Sequence, residues 1–338
     1  MRNLRTFSIQ RRHKLAVFLG LTAAVWVAGL LSLCLGAESL ALEEVIVALL
    51  GDQGGATAFQ IVRYVRLPRT CACLLAGAAL AASGVIIQGV LANSLASPST
   101  IGVNSGAGLA VAICCAIAPT AVALVPLAAL VGAFTGVLLV LFIAQRTSAS
   151  KITLVLAGVA ISSMFGAGVD LVVTLVPEAL NGYSDFRIGG FSGVSMSRLA
   201  VAFWPIVLSI IAALSLHNQM DVLMLGTEQA QALGLPAKKM RMLMLALAAV
   251  LAGAAVSFSG LVSFVGLIVP HMMRRLVGEE SGPLLAASVL GGAALLCGCD
   301  LLARMIFAPY ELPVGIVMSL LGGPFFLWLL RKRGGRGT

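Results

Sequence analysis

Nine apolar runs, each close to twenty residues long, constrain this chain more than any other feature. They fall at about 15–36, 70–91, 101–118, 121–144, 152–176, 199–216, 242–258, 284–307 and 314–330. A helix rises about 1.5 Å per residue, so roughly twenty residues cross a hydrocarbon layer about 30 Å thick. Inside that layer each backbone N–H and C=O must find its partner within the protein, which for a single apolar segment means a helix. The sequence therefore predicts an all-α, polytopic membrane protein. Hydrophobic residues make up 60% of it and charged residues only 10%, against about 25% charged in soluble domains. No stretch between the runs is long enough for a soluble domain, so residues 1–338 read as one transmembrane domain. The longest polar stretches lie near 176–198 and at 217–241.

The formal net charge of +9 raises nucleic acid as a partner. Its placement excludes that reading, because the cations sit at the ends of apolar runs, where contact with membrane lipid and the positive-inside rule place them. Arg2, Arg5, Arg11, Arg12 and Lys14 precede the first run; Arg331, Lys332, Arg333 and Arg336 follow the last. Both ends are thus expected in the cytoplasm, which requires an even number of crossings. The tenth is expected at Gly260–Pro270 (GLVSFVGLIVP), a stretch too short for a standard span and of the kind that lines cavities. Ten crossings put 16 of the 22 Lys and Arg inside. The six outside are Arg63, Arg66, Arg69, Arg187, Arg198 and Arg304. The basic start resembles a signal peptide, but the run that follows is long and lacks an A-x-A cleavage site, so it reads as a retained first helix.

Little in the chain suggests covalent chemistry. No Gly-Lys dipeptide occurs, so a P-loop ATPase is excluded. The seven cysteines lie in or beside apolar runs, without the polar, His-bearing surroundings of a zinc site, and read as buried small side chains. No cofactor or metal site is expected, and His271 reads as a structural hydrogen-bonding group. Asp170, inside the fifth run, marks a pathway, pairs quietly with a neighbour or lies at the external end.

Two constellations stand out. The first is HNQMDVLMLGTEQAQALGLPAKKMR, residues 217–241. Gly226 and Gly234 bracket a short helix that Thr227 could cap, and Pro236 would stop any continuation. Ala230 and Leu233, three apart, share one face with small apolar character. Such a helix is either a handle for a cytoplasmic partner or an ordinary loop. The second is RLPR, Arg66 to Arg69, together with Arg304. Exposed arginines there could pair with carboxylates of a docking protein or with lipid headgroups.

Four stretches carry a resemblance: RLPRTCACLLAGAALAASGVIIQGVLANSLASPSTIGVNSGAG (66–108), LGTEQAQALGLP (225–236), GLVSFVGLIVPHMMRRLVG (260–278) and DLLARMIFAPYELPVGIVMSLLGGPFFLWLL (300–330). In this order they resemble the iron-siderophore, haem and cobalamin permease family of ABC importers. The resemblance implies ten helices per subunit and the type II importer permease fold, in the cytoplasmic (inner) membrane of a prokaryote. It also implies a second permease subunit, identical or not, a dimer of ATP-binding cassette ATPases and an extracytoplasmic substrate-binding protein. Arg66, Arg69 and Arg304 would meet acids on that binding protein. Gly226, Thr227, Glu228, Ala230, Leu233 and Gly234 would belong to the segment seated on the ATPase. The chain itself would be no enzyme, and its cargo an iron chelate, with cobalamin or a metal oxyanion as the alternative.

Three departures accompany the resemblance. Ala92–Ala96 reads ANSLA where the family has Arg-Asn-Pro-Leu-Ala. Leu261 follows Gly260 where Gly-Pro is usual. The aromatic residue expected before the pair at Gly189–Gly190, part of the GGF stretch shared with the cobalamin permease, is replaced near Arg187. Two other classes stay open. A secondary transporter would need coupled charges at mid-membrane, for which Asp170 is the one candidate. A membrane enzyme would need convergent catalytic side chains.

Overall fold

The computed structural model describes residues 2–36, 38–51, 56–146, 151–308 and 310–334. In chain order the helices are α1 (Arg2–Cys34), α2 (Leu42–Leu50), α3 (Ala56–Gln60), α4 (Leu67–Leu91), α5 (Val103–Ile117), α6 (Val125–Arg146), α7 (Lys151–Leu175) and α8 (Ala179–Ile188). They continue as α9 (Met196–Ser215), α10 (His217–Met224), α11 (Thr227–Ala232), α12 (Ala237–Ser259), α13 (Val265–Val277), α14 (Ser281–Met305) and α15 (Val314–Gly334). A π-helical turn, Ile61–Arg66, fuses α3 to α4. No strand occurs among the described residues.

Each of the nine apolar runs is helical. Among the described residues seven helices are long and apolar enough to cross a membrane, and α5 and α15 are shorter apolar helices. With α13 these make ten. The tenth crossing differs in detail from expectation. Gly260–Phe264 is not helical, because Gly260 (φ 66°) and Phe264 (φ 68°) both occupy the left-handed region. The helix instead begins at Val265 and runs through Pro270. A proline inside a helix leaves the carbonyl four residues back without its donor. Here that carbonyl, Gly266 O, accepts the Nε2–H of Gln88 at 3.0 Å. Arg274 Nη1, half-buried, in turn donates to Gln88 Oε1 at 2.6 Å, so the buried Gln88 bolts α13 to α4.

The central post is α4. Within its continuous helix, Thr57–Leu91, 83% of the most apolar window is buried, against 11% for the window in α1. It packs against α12, α13 and α14. Small residues permit this, as membrane helices associate by close backbone approach. A Cβ on Gly77 would lie 2.2 Å from Gly292 O on α14, and one on Gly84 would lie 2.0 Å from Gly266 O on α13. A second group, α5, α6 and α7, joins the post through α12.

The alternation of crossings puts the start of α1 and the end of α15 on one face, termed here the terminal face. Lys14 and His13 fix that register. Lys14 Nζ pairs with Glu280, and the His13 ring contacts Leu276 O at 3.1 Å, so α1 passes the joint of α13 and α14 at these two residues. Also on this face are α10 and α11. The opposite face carries α2, α3, α8 and the loops at 260–264 and 306–313.

Candidate functional site

Proline shapes the start of the site on the opposite face. Pro68 has no N–H to continue the ladder, and the preceding turn widens to the π form at Ile61–Arg66, with Leu67 N–H reaching back to Val62 O. Single π turns of this kind recur at functional positions. This turn aims Arg66 and Arg69 at the end of α1 and at α14.

Both arginines are buried, as is Arg304, with exposures of 5%, 6% and 3%. This corrects the expectation that the three side chains are exposed. The physical reason is the partners that the tertiary fold supplies. Asp300, on α14 and fully buried, accepts from Arg69 Nε and Nη2, each at 3.0 Å. Arg304, one turn further along α14, places Nε 3.2 Å from Asp300 Oδ2 as an ion pair. Its Nη2 donates to Ser32 Oγ at 2.7 Å, and Ser32 is itself 2.8 Å from Thr70 Oγ1. Arg66 donates to Leu33 O and Cys34 O at 2.8 Å and to Glu38 O. These are carbonyls at and just beyond the C-terminal end of α1, where orphan acceptors and the negative end of the helix dipole favour a cation. Arg66 therefore caps α1 from another helix.

Arg69 differs from the other two in pairing with a half-exposed carboxylate. Its Nη1 donates to Glu311, whose side chain is 40% exposed. Sequence reasoning missed both acids. Asp300 had only its i, i+4 spacing from Arg304 as a signal, and Glu311 had none.

Beside this cluster the chain after α8 makes close backbone contacts. Gly190 N–H donates to Ser259 O at 2.8 Å and Gly315 N–H to Gly189 O at 3.1 Å. A Cβ on Gly315 would lie 1.8 Å from Ile188 O, which explains small residues at this junction. Leu261 N–H donates to Phe186 O at 2.9 Å. A proline, usual at that position in the family resembled, could not make this bond, so the departure ties α8 to the start of the α13 crossing. Arg187 and Asp185 are exposed. Tyr183 is half-buried, and burial pushes its phenol above the ordinary range while Arg187 opposes the shift. A cavity of about 410 Å³ opens here, lined by Arg69, Asp185, Gly190, Ser192, Glu311 and Pro313 among others.

On the terminal face, α11 is the expected short helix with revised details. Gly226, not Thr227, is its N-cap, at φ 120° and ψ 166°, a conformation essentially restricted to glycine. Thr227 Oγ1 instead accepts from Arg241 Nη2 at 3.0 Å. Gly234 ends the helix at φ 81°. Leu235 N–H bonds to Ala230 O and Gly234 N–H to Gln231 O, the paired bonds of a Schellman cap. Ala230 and Leu233 do not share an outward face. Ala230 is fully buried against the protein itself, whereas Leu233 is 65% exposed. Glu228, Gln229 and Gln231 are also exposed. The unit is anchored firmly. Asp221 Oδ1 accepts the Ser281 N–H at the start of α14 at 3.0 Å, and Met220, buried, packs against Gly89 of α4.

The remaining candidates have quiet roles. Asp170 is exposed on α7, five residues from the end at Leu175. His271 Nε2 lies 3.2 Å from Arg275 Nη2, with its ring edge-on to Phe325. Ala92, the first residue of ANSLA, closes α4 in the left-handed conformation at φ 47°. All seven cysteines are free thiols.

Residues 24–332 match the model of the FecCD transport family. The chain is 40% identical over 278 residues to the hemin transport system permease protein of Yersinia pestis, covering 80% of this chain and 82% of that protein. It is 36% identical over 330 residues to the Fe(3+)-citrate import system permease protein of Bacillus subtilis, covering 97% and 98%. The cobalamin import system permease protein of Halobacterium salinarum is 37% identical over 278 residues, covering 82% and 75%. Among solved structures, an inward-facing metal-chelate type ABC transporter, described as putative, superposes with a TM-score of 0.84 at 30% identity, covering 94% of this chain and 99% of that one. The chain belongs to the FecCD transport family.

Proposed function

We propose that this chain is the membrane-spanning permease subunit of an ATP-driven importer whose cargo is an iron chelate, either a ferric siderophore or haem. The family match across 24–332 carries the reading. The hemin and ferric-citrate relatives, similar over most of their length, favour iron chelates. Cobalamin is the second reading, favoured by one relative and by the GGF stretch.

The terminal face is then cytoplasmic, as the basic chain ends require. There a dimer of ATP-binding cassette subunits seats on α11 through Leu233, Glu228 and Gln229, while Ala230 anchors the helix from behind. A rigid, doubly capped helix carries force that a flexible loop would absorb. Because Arg241 and Asp221 tie this unit to α12 and α14, motion of the ATPases reaches the helices around the central post. On the opposite face a substrate-binding protein docks near Arg69. Arg66 and Arg304 hold the end of α1 rather than touching the partner. Two permease subunits enclose the pathway, and the states exchange as ATP and the docked protein bind them differently.

The test is uptake by proteoliposomes containing the assembled importer, with ferric hydroxamate, ferric citrate, haem and cobalamin offered separately. ATP-dependent accumulation of an iron chelate is expected; accumulation of cobalamin alone transfers the assignment to the second reading. Thiol labelling at Glu178→Cys and Glu279→Cys, in a cysteine-free background, should report opposite sides of the membrane. Labelling of both from one side contradicts the orientation.

A further inference from the structure

The arginine cluster holds its charges in an unequal way. Arg66 and Arg304 are spent on backbone carbonyls at the end of α1, on Ser32 and on Asp300. Arg69 gives Nε and Nη2 to Asp300 but offers Nη1 outward, to Glu311. Glu311 is unlike Asp300, the other carboxylate of the cluster. It lies on the loop joining α14 to α15, not on a helix, and its side chain is 40% exposed. Arg69 and Glu311 line two cavities on this face, one of about 210 Å³ shared with Arg66 and Arg304 and one of about 410 Å³ that neither of those two reaches. Removing the Glu311 carboxylate from its present position would open Nη1 to both.

We infer that Glu311 is a placeholder: it occupies the one accessible edge of Arg69 until a carboxylate of the docking protein displaces it. The inference rests on the docking reading above and adds a regulatory contact to it. A buried guanidinium left with an empty N–H would bear a desolvation cost in the undocked transporter. An internal carboxylate removes that cost, and the same carboxylate then competes with the partner. Docking becomes an exchange of one charge-assisted bond for another. Its net strength is thereby reduced, which favours release of the binding protein after each delivery. Swinging out of the site returns Glu311 to water, where a half-exposed carboxylate is already partly solvated.

The test uses the complete importer in lipid nanodiscs and its own substrate-binding protein. Docking affinity is measured for the unmodified protein, Glu311→Gln and Arg69→Gln, and phenylglyoxal labelling of Arg69 is followed by mass spectrometry. Glu311→Gln removes the competing charge while keeping the side chain's size. The expected result is greater labelling of Arg69 together with docking about tenfold tighter, the effect of roughly one charge-assisted bond. Docking that is unchanged or weaker in Glu311→Gln overturns the inference. So does tighter docking without increased labelling, because the gain would not arise at Arg69. Arg69→Gln separates the two levels. If it weakens docking while Glu311→Gln does not tighten it, the docking reading stands and the placeholder falls. If Arg69→Gln leaves docking unchanged, the docking reading fails as well.

Discussion

Asp300→Asn tests the electrostatic account of the opposite face most directly. The residue is fully buried. It accepts three hydrogen bonds from Arg69 and forms an ion pair with Arg304. Asparagine preserves the shape and one acceptor oxygen but removes the charge between two buried guanidiniums. Arg69 keeps Glu311 and Arg304 keeps Ser32, so neither cation is wholly abandoned. Breaking a buried pair by altering one partner costs about 3–5 kcal/mol, and the retained acceptor places the expected loss near the lower end. Glu311→Gln, which breaks the half-exposed arm, should cost about 1 kcal/mol or less. The assay is reversible unfolding of the purified protein in mixed micelles, titrated with a denaturing detergent. Adding Arg304→Met to Asp300→Asn should restore part of the loss, because one uncompensated cation disappears. A loss below about 1 kcal/mol for Asp300→Asn, or one no larger than that of Glu311→Gln, would refute the account.

The packing sets the outcome of five further substitutions. Gly77→Ala drives a methyl to 2.2 Å from the Gly292 carbonyl and should destabilise by about 1–3 kcal/mol in the same titration; Gly298→Ala, with open space around it, should be close to neutral. Gln88→Leu orphans Gly266 O, the carbonyl released by Pro270, and should cost about 1–3 kcal/mol, with earlier proteolysis near α13; equal stability would mean that another donor serves that carbonyl. Ala230→Glu should unseat α11 and expose residues 225–236 to limited proteolysis, since it places a charge in a fully buried site. Leu233→Glu should leave that proteolysis pattern intact and weaken ATPase association instead, and the reverse pattern would show the helix to be oriented the other way.

The apolar runs determined the all-helical architecture and the nine principal membrane helices, because run length is a local quantity that the bilayer reads directly. The polar segment 217–241 likewise marked Gly226 and Gly234 as helix ends, since the positive-φ backbone they adopt excludes most other residues. The tenth crossing was legible only as to its existence. Its bounds moved because Pro270 looks like a stop in sequence, whereas the tertiary structure lends Gly266 O a donor from Gln88, 178 residues away in the chain. Arg66, Arg69 and Arg304 read as exposed for the same reason. Burial of a charge depends on partners, and Asp300 stands 231 residues from Arg69. Which face of α11 points outward was likewise undetermined: residues 227–232 can bury either side, and only packing on α10 and α12 turned Ala230 inward and left Leu233 to the solvent.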